Sequence, residues 1–348
     1  MQIIHIVRRY GLVGGMERYV WETTLKLRDL NHDVIVICQA CMEEVPAGIT
    51  VHQLGSFMKR PRWLSSLRFS LAVKSWLAKN PHANAIIHSH ERLSIHHITT
   101  FHSPPFANVL RKHWWQLLSL RIWAQLYLER RELTVARFIV PNSITIKQQL
   151  ADYYPRLAHK LTAPIMPGVN VLAQRTFRIA PSNGGVIGFI GQEWKRKNLR
   201  FAITVIEKLR QTRPNLQFIV VGPEINDIKT LFANWNGGYL LAGWSNKEYL
   251  SKFDVLLHPA IAEPYGMVIS EAMAANVPVV VSDVCGAVPQ IAHGAGDILS
   301  LSAPVESWSE AINKQLNRTE ALPVFTRTWQ SVANEYINIY LQLPNQKP

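Results

Sequence analysis

The sequence predicts two doubly wound α/β domains of similar size, each built on a parallel sheet with helices on both faces. Short apolar runs alternate with helical stretches over residues 1–167, and the pattern repeats over residues 168–327. Such alternation is typical of parallel sheets covered by helices. The chain has 348 residues, enough for two domains that each bury a core. Ligands of such sheets bind where the strands end, so the expected active site lies in the cleft between the domains.

The first half opens with an apolar strand, a glycine-rich turn and an amphipathic helix. The turn contains Gly11, Gly14 and Gly15 but matches neither the dinucleotide pattern GxGxxG nor the phosphate loop GxxxxGK. Dehydrogenases and kinases of those types are therefore disfavoured. Strands are predicted at residues 3–7, 34–37, 86–90, 98–102 and 139–143, with the first helix at about 16–30, and residues 164–170 are interpreted as the last strand and a linker.

The second half repeats this organisation, and each of its strands ends in small or turn-forming residues. An amphipathic helix is predicted to close the chain. The predicted strands are residues 186–191, 218–223, 239–243, 255–257 and 279–283, and the closing helix is residues 329–340.

The basic charge is concentrated in the first half. The net charge is +13, and residues 1–167 carry 21 Lys and Arg against 10 Asp and Glu, whereas residues 168–348 carry 16 against 14. A one-sided basic field attracts nucleic acid, acidic phospholipid or phosphorylated glycolipid. Residues 57–79 and 106–137 combine basic residues with tryptophans. They suit the headgroup region of a membrane, or they are core helices with solvated basic edges.

Several other site types are disfavoured. No apolar run reaches about 18 residues and the chain begins as a strand, so we expect a cytoplasmic protein without a membrane span. Five histidines between residues 88 and 102 suggest zinc, but the HExxH pattern is absent after His90, and no metal site is predicted. A single histidine at the carboxyl end of a strand, facing the cleft, is the preferred interpretation, and His102 is the candidate.

Two glutamates eight positions apart are the most informative feature of the second half. Glu263 follows an apolar strand and lies in a loop, and Glu271 lies on a helix that begins just after a Pro-Tyr-Gly turn. The free amides of Gly266, Met267 and Val268 at the start of that helix favour an anionic group. Spacing alone is also compatible with an ordinary strand, loop and helix that carry surface acids. A nucleotide sugar supplies the matching groups, a diphosphate and several hydroxyls.

In this context the chain resembles the retaining glycosyltransferases of family 4, which have the two-Rossmann GT-B fold. The resemblance is nearly full length, and within the family the chain looks most like lipopolysaccharide core glycosyltransferases. The matching residues are Gly14 to Arg18, Gly188 to Gly191 leading to Lys197, Val221 to Pro223, Ala242 to Trp244, His258 to Ala260, and the E-x7-E signature Glu263 to Glu271.

The resemblance implies a role for each candidate residue. Lys197 neutralises the departing diphosphate, Glu271 holds the ribose hydroxyls, and Glu263 contacts the transferred sugar. His102 lies beside the donor sugar and acceptor. The remaining donor-binding candidates are Gly14 and Gly15 near the diphosphate, Gly222 and Leu241 at the base, and Gly266, Met267 and Val268 at the phosphates. The implied organisation is an acceptor domain at 1–167, a nucleotide-sugar domain at 168–327, and a terminal helix, 328–348, that packs back on the first domain.

Two positions depart from the family pattern. Gln192 stands where relatives usually have arginine, and Asn198 where they usually have glycine. Arg196 supplies the missing cation, or the phosphate site rests on Lys197 alone. The sequence contains no Asp-x-Asp, which fits a site without a metal or other cofactor.

The resemblance implies transfer of a hexose from UDP-glucose to a lipopolysaccharide core or another anionic glycolipid, by a monomer at the cytoplasmic face of the inner membrane. GDP-mannose and ADP-heptose are alternative donors. A sugar-nucleotide epimerase or phosphorylase of the same fold is an alternative enzyme. A nucleic-acid-binding protein is disfavoured, because binding of nucleic acid would give the paired glutamates no function.

Overall fold

The computed structural model describes residues 1–55, 60–111, 118–170, 173–176, 179–244 and 249–343. The chain divides into two compact units. The first contains residues 1–168 and 328–348, and the second contains residues 169–327.

The first unit is built on six parallel strands in the order β5-β3-β1-β6-β7-β8. Ile3, Ile4 and Ile6 of the first strand, in the centre of the sheet, are fully buried, which explains the continuous apolar run there. The strands are β1 Gln2–Ile6, β3 Asp33–Cys38, β5 Ile49–Gln53, β6 Ile86–Ser89, β7 Ile98–Phe101 and β8 Phe138–Pro141, and a small parallel pair joins β2 Arg9–Tyr10 to β4 Ala40–Cys41. The helices are α1 Gly15–Asp29, α2 Arg62–Lys79, α3 Leu120–Val135, α4 Ile144–Tyr153 and α9 Trp329–Tyr340.

The second unit has another six-stranded parallel sheet, in the order β11-β10-β9-β12-β13-β14. Its core is formed by Phe189, Phe218 and Trp308, all fully buried. The strands are β9 Gly184–Ile190, β10 Asn215–Val221, β11 Tyr239–Gly243, β12 Val255–His258, β13 Val279–Ser282 and β14 Gly296–Leu299. The helices are α5 Leu199–Arg210, α6 Ile225–Ile228, α7 Met267–Ala274 and α8 Val305–Leu316. Two doubly wound parallel sheets confirm the predicted fold class.

Both sheets have the same topology, and it defines where each binds ligands. In each, the chain adds two strands outward from the first, then returns to the other side of that first strand and adds three more. The reversal falls between β1 and β6 in the first unit and between β9 and β12 in the second. Crevices at the carboxyl ends of strands beside such a switch point are the usual ligand sites of this architecture.

The terminal helix α9 belongs to the first unit, as predicted. Thr328 caps it by accepting a hydrogen bond from the amide of Ser331 at 3.3 Å. Val332, Tyr336 and Tyr340 recur on one face and are at most 1% exposed. The Tyr336 hydroxyl lies 2.9 Å from that of Tyr19 on α1, which fixes α9 against this unit.

The expected strand at residues 164–170 is wrong. In the fully described stretch 118–170, residues 162–168 form no strand, and Leu161 makes only an isolated bridge with Ile139. Pro164 and Pro167 lack the amide hydrogens that a ladder needs. The edge strands β5 and β14 were not predicted, because each is short and only part-buried.

The tryptophan-rich basic segments fall partly outside the described residues, since Lys59, Lys112, Trp114 and Trp115 lie there. Within the described part, α2 buries Phe69 and Val73 in the core. On α3 the side chain of Trp123 is 54% exposed. No helix in the described ranges is long and apolar enough to cross a membrane.

Candidate functional site

In the second unit the loops after β9 and β12 converge on Glu263. Its main chain is fixed, because the carbonyl accepts a hydrogen bond from the amide of Gly286 at 3.0 Å and the residue forms a parallel bridge with Cys285. Only 9% of Glu263 is exposed. The predicted glutamate therefore lies in the loop at the switch point, largely withdrawn from solvent.

The carboxylate of Glu263 is surrounded by three basic side chains. Arg196 Nη1 lies 3.3 Å from Oε1, and Lys197 Nζ lies 3.7 Å from Oε2. His258 Nε2 lies 3.2 Å from Oε2. The sequence assigned Glu263, Lys197 and Arg196 to one site, and the structure brings these three together.

These neighbours determine the charge of Glu263. Burial opposes its ionisation, but the hydrogen bond from His258 and the charges of Lys197 and Arg196 outweigh it and lower the pKa of Glu263 to about 2. Burial lowers the pKa of His258, against the raising effect of Glu263. At neutral pH the site thus holds a carboxylate, two cations and a neutral imidazole that donates through Nε2.

Arg196 and Lys197 are held by different contacts. Lys197 Nζ also donates to the carbonyl of Ile190 at 3.3 Å, and its side chain is 14% exposed. Arg196 donates to Glu193 Oε2 at 2.6 Å and to the carbonyl of Ala262. The guanidinium is therefore fixed beside Glu263, in the position that can supplement Lys197 where Gln192 offers no charge.

The helix that follows Glu263 begins at an unusual backbone conformation. Gly266 has φ +93°, and a Cβ there would lie 3.0 Å from Glu263 Cγ. This left-handed turn allows α7 to start at Met267 directly beside the glutamate. The first amides of a helix have no intrahelical acceptor, so Met267 and Val268 present donors to an anion. Glu271 lies on the same helix, in its second turn.

Gly222 and Leu241 lie on the far side of β9. Gly222 follows β10 with φ +111°, and a Cβ there would lie 2.9 Å from the carbonyl carbon of Gly191. Its amide donates to the carbonyl of Gly243 at 2.7 Å. Leu241 pairs with Val220 in the parallel ladder and packs partly on the core. Gly222 thus lies at the carboxyl end of β10, and Leu241 lies in the middle of the neighbouring strand β11.

In the first unit, His102 follows β7 and lines a cavity of about 920 Å³. Five arginines and three phenylalanine or tryptophan rings also line it. The cavity is therefore strongly basic, and it also contains Glu91 and Glu132, whose pKa values burial raises to about 7 and about 8. The arginines are Arg8, Arg60, Arg62, Arg92 and Arg121, and the aromatic residues are Trp63, Phe101 and Phe106.

The remaining candidates of this unit lie at the start of α1. Gly14 is the residue before the helix, in an extended conformation, and Gly15 is its first residue. Glu17 in the first turn is paired with Arg9, whose Nε donates to Oε1 at 2.9 Å. Met16 lines the same cavity as His102, so the glycine-rich turn adjoins the cavity.

A buried histidine cluster lies behind His102. His5, His88 and His90 each offer a ring nitrogen within 4.8 Å of the others, a spacing that a metal could use. All six of their ring nitrogens, however, take part in hydrogen bonds to side chains. Because every ring nitrogen already has a hydrogen-bond partner, the three histidines form a hydrogen-bond network. A metal site would need a free lone pair on each ligand nitrogen.

Sequence reasoning missed His258, Glu193 and most of the cavity arginines as site residues. His258 carries a signal, because it ends a fully buried strand next to the E-x7-E segment. The cavity arginines carry no such signal in the sequence, because they come from four separate segments of the chain that only the fold brings together.

Two family models cover most of the chain. Residues 13–171 match the model for Glycosyltransferase Family 4, and residues 173–327 match the model for Glycosyl transferases group 1. The chain is 24% identical to the D-inositol 3-phosphate glycosyltransferase of Stackebrandtia nassauensis, over 95% of this chain and 87% of that protein.

Solved structures show the same fold. WaaG, a glycosyltransferase involved in lipopolysaccharide biosynthesis, superposes with a TM-score of 0.78 at 17% identity, over 99% of this chain and 96% of that one. HepE of Anabaena, crystallised with UDP-glucose, superposes with a TM-score of 0.67 at 15% identity, over 99% and 100%.

Proposed function

Because this chain belongs to the family 4 glycosyltransferases of the GT-B type, we propose that it transfers glucose from UDP-glucose to a hydroxyl of an anionic glycolipid. Transfer retains the anomeric configuration and needs no metal. The second unit binds the donor and the first binds the acceptor.

The observation that carries this proposal is the charge arrangement at Glu263. A departing diphosphate gains negative charge as its bond to the sugar breaks. Lys197 and Arg196 lie 3.7 and 3.3 Å from a carboxylate that holds them in place, and the amides of Met267 and Val268 face the same loop. Positioned cations and helix amides stabilise developing charge most strongly where water is excluded. They supply here what a divalent cation supplies in metal-dependent transferases.

Retention follows in this proposal from a front-face reaction. The bond from the anomeric carbon to the diphosphate oxygen breaks while the acceptor oxygen bonds on the same face. The leaving diphosphate takes the acceptor proton. Glu263 is held by three basic side chains and ionises with a pKa near 2, so we assign it to orientation of the sugar and the cations and not to proton transfer.

UDP-glucose is proposed as donor because a structural relative, HepE, was crystallised with it. A curated relative is named as a GDP-mannose-dependent mannosyltransferase, so GDP-mannose remains the alternative to include in every assay. Leu241 and Gly222 meet the base mainly through their backbone, which can accommodate either base.

An anionic acceptor is supported by the arginines of the first unit. Arginine binds phosphate and carboxylate through paired hydrogen bonds, and five arginines line the cavity that contains His102. We propose a phosphorylated lipopolysaccharide core as acceptor, since WaaG is described as acting in lipopolysaccharide biosynthesis. Leu118, Leu120 and Tyr127 are 77%, 86% and 62% exposed beside Arg121, which supports contact of a monomer with the membrane surface.

A transfer assay tests the proposal. Purified protein is incubated in EDTA with UDP-glucose or GDP-mannose and with phosphorylated or dephosphorylated core acceptor, and proton NMR reports the anomeric configuration of the product. We expect an α-linked product from UDP-glucose on the phosphorylated acceptor, and loss of activity in Lys197→Ala. Lys195→Ala, at an exposed lysine two positions away, is the matched control. An inverted product, or equal activity of the two lysine variants, would refute the assigned mechanism.

A further inference from the structure

A continuous chain of buried hydrogen bonds connects His102 to the main chain of Ile165. It crosses three strands and two helices of the first unit. In order from the far end, the links are Tyr19 hydroxyl to Ile165 carbonyl at 3.0 Å, Tyr19 to Tyr336 at 2.9 Å, Tyr336 to Thr100 at 2.7 Å, Thr100 to His88 Nε2 at 2.8 Å, His88 Nδ1 to Tyr340 at 2.8 Å, Tyr340 to His5 Nε2 at 3.4 Å, His5 Nδ1 to His90 Nε2 at 3.1 Å, and His90 Nδ1 to His102 Nε2 at 2.9 Å.

The far end of the chain fixes the direction of its first links. A carbonyl oxygen only accepts, so the single hydroxyl hydrogen of Tyr19 points to Ile165. Tyr336 must then donate to Tyr19, since Tyr19 has no second hydrogen. For the same reason Thr100 donates to Tyr336, and Thr100 can only accept from the next partner, His88.

The histidines of the chain are fixed in direction in the same way. A neutral imidazole has one N–H donor and one acceptor nitrogen. His88 donates from Nε2 to Thr100, so its Nδ1 accepts from Tyr340. Tyr340 accepts from His5 Nε2, so His5 Nδ1 accepts from His90 Nε2. His90 Nδ1 is then an acceptor, and the donor that reaches it is His102 Nε2.

Burial keeps these four rings neutral, so each has one donor nitrogen and one acceptor nitrogen. It lowers the pKa of His5 and of His102 to about 3, and it lowers the pKa values of His88 and His90 well below their usual range. The rings of His5, His88 and His90 are at most 5% exposed. Each link thus carries one proton, and only one arrangement satisfies all eight links.

We propose that this chain holds His102 in the Nε2–H tautomer, so that Nδ1 offers a hydrogen-bond acceptor to a sugar hydroxyl in the cavity. The proposal rests on the proposed function for the identity of the ligand, but the tautomer itself does not. Tyr336, Thr100 and Tyr340 are positioning residues that act through His102. The edge-to-face contact between the rings of Tyr19 and His102, 5.0 Å apart, helps to hold the imidazole plane.

An acceptor at this position has a defined chemical use. A sugar hydroxyl needs somewhere to direct its hydrogen so that its oxygen lone pairs remain available to other groups. The reverse tautomer would present a second donor and leave that hydroxyl hydrogen unpaired, which is unfavourable in a buried site. We expect loss of the correct tautomer to lower kcat/KM by roughly 10- to 100-fold.

NMR of the ring nitrogens tests the proposal without any substrate. Protein with 15N-labelled histidine is compared with Tyr336→Phe, which frees the hydrogen of Thr100 to point toward His88 and permits the chain to reverse. Tyr10→Phe is the matched control, because the Tyr10 hydroxyl also bonds a buried threonine, Thr24, at 2.7 Å but lies outside the chain. Long-range proton–nitrogen correlations identify the tautomer, and His102→Gln assigns the resonance.

We expect His102 to be the Nε2–H tautomer in wild type and in Tyr10→Phe, and to become a mixture of tautomers in Tyr336→Phe. A second pair of variants, at Thr100, controls for misfolding. Thr100→Ser keeps the hydroxyl and should keep the Nε2–H tautomer of His102, whereas Thr100→Val removes the hydroxyl and should lose that tautomer. An Nδ1–H tautomer in wild type would overturn the proposal. So would identical His102 signals in Thr100→Ser and Thr100→Val. Correct tautomers without any transferase activity would instead count against the proposed function alone.

Discussion

Replacing Glu263 by glutamine tests whether its charge stabilises the folded second unit. The carboxylate contacts Arg196, Lys197 and His258, and its pKa is lowered from 4.5 to about 2. That difference corresponds to roughly 3 kcal/mol of folding free energy at neutral pH. Glutamine keeps the shape and can still accept from His258 but removes the charge. We therefore expect Glu263→Gln to lower the free energy of unfolding by about 3 kcal/mol at pH 7.

The sign of the pH dependence follows from the lowered pKa. The stabilisation is fully present above the unfolded value of 4.5 and disappears as the pH falls toward 2. The difference in the free energy of unfolding between wild type and Glu263→Gln should shrink to roughly half near pH 3. Urea unfolding followed by circular dichroism between pH 7 and pH 3 measures it, with Glu310→Gln at an exposed position as control. A variant as stable as wild type at pH 7, or a loss independent of pH, would refute the reasoning.

Two further predictions concern the same unit and the basic cavity. Gly222→Ala should destabilise the protein by about 2 to 4 kcal/mol, because alanine is strained at φ +111° and its Cβ would lie 2.9 Å from the carbonyl carbon of Gly191. Thermal unfolding measures the loss of stability, and a change below about 0.5 kcal/mol would contradict the prediction. Arg121→Ala should raise KM for a phosphorylated acceptor by about tenfold and leave KM for the donor unchanged, because one charge-assisted bond is lost. Steady-state kinetics with a dephosphorylated acceptor, which should not respond, is the control.

The fold was predictable because its signal is local. The strands β1, β9 and β12 are buried on both faces, so they are continuous apolar runs that the sequence displays directly. The prediction of a strand around Pro164 and Pro167 was wrong. The segment is apolar and long enough for a strand, but its prolines lack the amide hydrogens that a strand must donate. Its Ile165 carbonyl instead accepts from Tyr19.

The candidate site was predictable only in part, for the same reason. Glu263, Gly266 and Glu271 lie within nine consecutive positions, so their spacing alone indicates a loop and a helix start. The histidine chain could not be predicted, because it joins His5 of β1 to Tyr340 of α9, which are 335 positions apart. Only the strand order, which places β1 beside β6, and the return of α9 to the first unit bring these side chains together.

Calorimetric titration of UDP-glucose in EDTA tests the central claim, that the second unit binds a nucleotide sugar through α7 and the cations beside Glu263. We expect wild type and Glu310→Gln to bind alike. We expect Glu271→Gln to bind about 10- to 100-fold more weakly, because it loses charge-assisted hydrogen bonds to the ribose. Absence of binding by UDP-, GDP- and ADP-sugars, or equal affinity of Glu271→Gln and wild type, would contradict the account.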